Sequence, residues 1–116
     1  MYDTGDLARL EFALQMINNI ESIVKRHGSI NLALEDIEGQ SAILLCLLQI
    51  GEKLSKLKNP VLREEMPIKA AQSVRNIIVH NYININLSLV EEIVSLNLPE
   101  LKEKLSKAIS GKNDDI

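Results

Sequence analysis

Arg75-Asn76-Ile77-Ile78-Val79-His80-Asn81-Tyr82 gathers an arginine, a histidine and a tyrosine into one octad of a 116-residue chain that has only two histidines and two tyrosines. These side-chain types suit phosphodiester transfer in RNA without a metal. A neutral imidazole, which titrates near working pH, can take the proton of a 2′-hydroxyl. A guanidinium can hold the non-bridging oxygens bidentately and offset the charge that grows as phosphorus becomes five-coordinate. Such a step yields a 2′,3′-cyclic phosphate and a 5′-hydroxyl. His80 is then the candidate general base or acid and Arg75 the phosphate clamp. By spacing alone, however, an arginine and a histidine five residues apart also fit an ordinary helix surface, with Tyr82 covering the core.

The element that must position these groups is a helix over Pro67–Asn81, with Pro67 in its first turn, where a missing N–H costs nothing. Helical periodicity puts Ala70, Ala71, Val74, Ile77, Ile78 and Asn81 on a core face. Arg75, Val79 and Tyr82 form a second stripe. Asn76 and His80 form a third, close enough for the amide to hydrogen-bond the imidazole and fix its tautomer. Arg75 and His80 nevertheless diverge by roughly 140° on an ideal helix. Three arrangements reconcile them: a long reach by Arg75, a loosened helix near His80, or a second copy of the chain. Val79, aliphatic on a polar side, favours a two-fold dimer seam.

Arg-Asn-x-x-Val-His-x-Tyr at the end of a third long helix resembles the signature of the HEPN superfamily, in particular its HepT-like toxins. Ile50-Gly51-Glu52 resembles that family's segment on the second helix, and Leu98-Pro99-Glu100-Leu101 its Leu-Pro-x-Leu in the last. The resemblance covers most of Asp6 to Ile109. It implies a metal-independent endoribonuclease with Arg75 and His80 as the catalytic pair and Asn76 as the polar residue beside the arginine. It also implies a nucleotidyltransferase antitoxin as partner, and Tyr82 as the tyrosine that such partners modify with AMP in some members. Such proteins often carry a tryptophan soon after the proline that opens the motif helix. Here Ile68 stands near that place and the chain has no Trp.

The length suits one domain with a single core. Hydrophobic residues make up 46% of the chain and aromatic ones only 3%, the composition of an aliphatic helix bundle rather than a β-sandwich. The lone Cys46 lies in an apolar run and reads as a buried structural thiol. Asp3 and Asp6 stand where a signal peptide would need basic residues. The most apolar run, Ala42 to Ile50, is far short of the ~20 residues a membrane span requires. A cytoplasmic protein without membrane attachment is expected. A net charge of −3 argues against broad nucleic-acid binding, and no DNA partner is expected. Even so, Lys53, Lys56, Lys58, Arg63, Lys69 and Arg75 cluster in the middle third and permit a positive cleft.

Asp3 or Thr4 can cap a first helix running to His27, with Leu7, Leu10, Leu14, Ile17, Ile20 and Val24 on its apolar face and Gly28 as its stop. His27 reads as a C-terminal cap. Ser29–Gly39 is a connection with a helical turn around Leu32–Asp36. The second helix, from Ile37 or Gln40 to Leu57, is apolar almost all round and reads as the central buried one. Gly51 permits a close backbone approach, and Glu52 beside it can pair with Arg75 or a lysine. Asn59-Pro60 caps and starts a short helix to Glu65. After Tyr82 a loop ends in an N-cap near Asn86 or Ser88. The last helix bends around Pro99 and stops at Gly111. No phosphate loop, CxxC, HExxH or pair of histidines at ligand spacing is present, so no metal or other cofactor is expected.

The sequence thus predicts an all-α, four-to-five-helix up-and-down bundle, HEPN-like and dimeric, over residues 1–110, with 111–116 as a flexible tail. The predicted activity is RNA cleavage by Arg75 and His80, supported by Asn76 and Glu52, with Tyr82 as substrate contact or modification site. Two further possibilities are a non-catalytic helical partner or nucleotide-binding subunit of a nucleotidyltransferase, and a plain dimeric scaffold.

Overall fold

A computed structural model describes residues 4–114, with side chains described for 4–111. The expected cap at Asp3 lies outside the described residues. The first helix, α1 (Thr4–His27), buries Leu10, Ala13, Ile17, Ile20 and Ile23. The apolar face is therefore rotated slightly from the expected stripe: Ala13 and Ile23 are buried while Leu14 and Val24 are only half-buried. Gly28 ends the helix as expected. Its φ of +96° lies in the left-handed region, and its N–H closes on Val24 O at 3.0 Å.

The chain returns through α2 (Ile30–Glu35), capped by Ser29, into α3 (Ile37–Ser55), capped by Asp36. His27 ties the end of α1 to the start of α3. Its Nδ1 lies 2.7 Å from Ile23 O and its Nε2 3.0 Å from Asp36 Oδ2. Two acceptors facing the two ring nitrogens favour the imidazolium; the Ile23 carbonyl, then the Asp36 carboxylate, raise the His27 pKa above its usual value. Asp36 is correspondingly lowered, first by His27 and then by the Gly39 N–H that it caps.

At the opposite end Asp6 performs the matching task. Its carboxylate, 1% exposed, accepts the N–H groups of Lys58 and Asn59, just past α3, at 2.8–3.2 Å, and Arg9 Nη1 at 3.0 Å. Each end of α1 is thus pinned to the opposite end of α3, which makes the two antiparallel. The role of Asp6 was not legible in the sequence, because Lys58 and Asn59 lie more than fifty positions away.

Asn59 caps α4 (Pro60–Glu65) as expected, accepting Val61 N–H and Leu62 N–H. Arg63 turns back and donates to Ser55 O and Leu57 O, covering carbonyls left open at the end of α3. The next helix, α5 (Ile68–Asn81), begins one residue later than expected, with Pro67 in the cap position. Within it only Ile68 and Ile78 are buried. Ala71, Val74 and Ile77 are half-buried, and Ala70 and Asn81 are exposed, contrary to the expected core face. The reason is that α5 packs chiefly on α3 and lies at the edge of the bundle.

Asn86 caps α6 (Leu87–Glu92), which runs without a break through a π-helical turn, Ile93–Asn97, into α7 (Leu98–Asp114). The π turn is how the chain absorbs Pro99. A proline in an α-helix offers no N–H to the carbonyl four residues back, here Ser95, and its ring crowds that carbonyl. The wider turn relieves both effects, and Leu98 N–H reaches back to Ile93 O. The final helix then passes through Gly111 to Asp114, beyond the expected stop, because no left-handed turn forms there to close it. Of the expected tail, residues 115–116 lie outside the described residues.

Four long rods therefore make an all-α bundle with no strand among the described residues: α1, α3, α5 and the α6–α7 rod. The centre is filled by Leu10, Ile17, Ile20, Ile43, Leu44, Leu54, Leu62, Val90 and Leu105. α3 is sandwiched between α1 and α5, which accounts for its apolar residues on nearly every side. It is not covered all round, however: Leu45 remains 56% exposed. Cys46 is buried as expected, and its desolvation pushes the thiol pKa up. No described helix is long and apolar enough to cross a membrane.

Candidate functional site

The octad is positioned by the antiparallel seam of α3 and α5. Gly51 sets how close the two approach. A Cβ there would stand 2.8 Å from Ala71 O and 2.9 Å from Arg75 Cβ, inside any real contact distance. With no side chain in between, Arg75 and Glu52 meet across the seam, and Arg75 Nε donates to Glu52 Oε1. Arg75 Nη1 also donates to Asn76 Oδ1 at 2.9 Å. The guanidinium is held from two sides, yet 37% of the side chain remains exposed to an incoming anion. The Arg75 hydrogen bond, then its charge and those of Lys56 and Lys53, keep the Glu52 carboxyl below its usual range.

Running from Arg75 toward the C-terminus of α5, the seam turns apolar. Ser41, Leu44, Leu45 and Leu48 of α3 line a shallow groove with Ile78, Val79 and Tyr82. Tyr82 reaches Ser41, its hydroxyl 3.2 Å from Ser41 Oγ. Arg75, Val79 and Tyr82 thus share one stripe along α3, as the helical spacing required. Val79 and Tyr82 are 54% and 47% exposed, so with Leu45 they form an uncovered apolar strip.

His80 stands on the neighbouring stripe, exposed, with no hydrogen bond or ion pair among the described residues. The expected Asn76–His80 hydrogen bond does not form among the described residues; Asn76 Oδ1 instead accepts from Arg75. The structure therefore brings together Glu52, Arg75 and Asn76, places Tyr82 farther along the same seam, and leaves His80 outside the cleft that Arg75 lines. The helix does not loosen at His80; it stays α-helical to Asn81.

Beside Arg75 the seam opens in the other direction into a polar cleft lined by Glu52, Ser55, Lys56, Gln72, Arg75 and Asn76. Sequence reasoning included Lys56 in a basic cluster but missed Ser55 and Gln72, which carried no signal. The cluster itself is dispersed. Lys53 Nζ lies over the Phe12 ring, 5.0 Å from its centroid, and Arg63 serves the α3 carbonyls. Only Lys56 joins Arg75 in this cleft. Among the described residues no three His, Cys, Asp or Glu side chains are grouped to hold a metal ion.

The family model described as "Ribonuclease HepT-like" matches residues 13–108 of this chain. Two curated proteins of Methanocaldococcus jannaschii are similar to it. One, named "Putative RNase MJ1216", is 31% identical over 80 residues, covering 64% of this chain and 65% of that protein. The other, named "Putative RNase MJ0125", is 30% identical over 71 residues, covering 59% of this chain and 60% of that protein. The chain thus spans just under two thirds of the length of these relatives. No solved structure matches it.

Proposed function

Since the chain belongs to the HepT-like ribonuclease family, we propose that it is a metal-independent endoribonuclease that acts as the toxin of a toxin–antitoxin pair. Arg75 holds the scissile phosphate and stabilises its developing charge, while His80 takes the 2′-hydroxyl proton and returns a proton to the leaving 5′-oxygen. Glu52 and Asn76 keep the guanidinium on the cleft side of α5. The observation that carries this reading is a guanidinium fixed by two neighbours yet open to solvent, on the same helix as an exposed imidazole that no described group engages.

One copy of the chain leaves the two groups on different stripes, so the proposal includes a homodimer. The strip of Leu45, Val79 and Tyr82 lies along the α3–α5 seam and is the surface a second copy would cover. Two-fold packing there sets the octads against one another across a shared cleft. An antitoxin of nucleotidyltransferase type would silence the site by placing AMP on the exposed Tyr82, adding bulk and negative charge where RNA phosphate must enter.

The test is incubation of purified protein with RNA in EDTA, followed by end-group analysis. Cleavage that persists and leaves 2′,3′-cyclic phosphate and 5′-hydroxyl ends is expected. His80→Ala should lower the rate by about 10²–10⁴, and Arg75→Ala by about 10²–10³, with both variants folded. Cleavage that requires a divalent ion would refute the mechanism. RNA left intact, with the substitutions disturbing only partner binding, would support a non-catalytic helical subunit.

A further inference from the structure

The polar cleft next to Arg75 has a composition that the catalytic assignment does not use. Glu52 and Ser55 in the last turn of α3 and Lys56 at its C-cap face Gln72, Arg75 and Asn76, about one turn of the antiparallel α5. The only carboxylate of the cleft, Glu52, is already engaged by Arg75. Lys56 has no ion pair and Gln72 no hydrogen bond among the described residues. Ser55 Oγ is committed to Gly51 O at 2.5 Å. Two cations against one carboxylate leave the cleft net positive in a chain whose overall charge is −3.

We propose that this cleft is a second phosphate subsite for single-stranded RNA, in which Lys56 holds the phosphate next to the one that Arg75 clamps and the Gln72 amide donates a hydrogen bond to it. The proposal rests on the ribonuclease reading above and deepens it. Gln72 and Arg75 are three residues apart on α5, ~4.5 Å along the axis, so their side chains can contact neighbouring phosphates of one strand. His80 lies five residues beyond Arg75 in the other direction, ~7.5 Å along the axis and on a different stripe. The strand would therefore run along α5, with the reacting linkage at Arg75 and its neighbour toward Lys56. A phosphate suits Lys56 as a point charge, whereas Arg75 offers the bidentate fork wanted at the reacting centre.

The experiment uses full-length protein carrying His80→Ala, so that RNA stays intact, and measures binding of a labelled single-stranded oligoribonucleotide by anisotropy across a salt series. Adding Lys56→Ala should weaken binding about tenfold and reduce the slope of log K against log salt by ~0.7, the loss of one phosphate contact. Lys56→Arg should retain most of the affinity, and Lys107→Ala, at an exposed lysine of α7, should change nothing. Unchanged affinity and slope in the Lys56→Ala protein would overturn the subsite, as would an equal loss with Lys107→Ala. Failure of the ribonuclease reading shows separately, as RNA that the unsubstituted protein leaves uncut while binding still depends on Lys56.

Discussion

At the scale of single residues, the chain divides its carboxylates between holding the fold and holding the guanidinium of the candidate site. Asp6 belongs to the first kind. Burial would raise its pKa, but the N–H groups of Asn59 and Lys58 and the Arg9 guanidinium outweigh that and lower it. A carboxyl with a lowered folded-state pKa contributes stability above its unfolded value and loses it as pH falls through the folded one. Acid should therefore release the start of α1 from the end of α3 below about pH 4. Asp6→Ala, which leaves the N–H groups of Lys58 and Asn59 without their acceptor, is expected to cost about 1–3 kcal/mol in urea unfolding at neutral pH. The same variant should show a flatter stability profile in the acid range. Glu52 belongs to the second kind: it is part-exposed, and its partner is Arg75.

At the scale of elements, the α3–α5 seam decides what the octad can do. Gly51 is the point of closest approach, and the spacing it allows is what lets Glu52 reach Arg75. Gly51→Ala puts a methyl group within 3 Å of α5 backbone and of the arginine's own Cβ, so α5 must shift. Overpacking of this kind costs about 1–3 kcal/mol. RNA cleavage should fall by more than the stability loss explains, because the shift moves the guanidinium. Comparing residual activity with the folded fraction from circular dichroism separates the two effects. The π turn before Pro99 is a second device of this scale. It keeps the α6–α7 rod continuous, so Val90 and Leu105 can both reach the same core.

For the whole molecule, the consequential feature is an apolar strip that the bundle does not cover. An aliphatic side chain such as Leu45, more than half exposed on the central helix, adds little to the fold of an isolated chain. Leu45→Glu should therefore leave the melting temperature of a monomer almost unchanged. If the strip joins two copies, the same substitution should turn a dimer into a monomer in sedimentation and reduce RNA cleavage together with it. A monomeric unsubstituted protein that cleaves RNA at full rate would remove the second copy from the mechanism.

Periodicity and end signals lie within a few residues of each other along the chain, so they could be read directly. They gave the long helices, the caps at Asn59 and Asn86, the stop at Gly28 and the shared stripe of Arg75, Val79 and Tyr82. The Glu52–Arg75 pair was one of two options until Gly51 was seen to bring α5 against α3. Burial along α5, the pinning role of Asp6 and the cleft of Lys56 and Gln72 were decided only by tertiary structure. Each depends on which helices become neighbours, and neighbours distant in sequence leave no local pattern. The same reason separates the two catalytic candidates: spacing put Arg75 and His80 on one helix, and packing placed only Arg75 in the cleft.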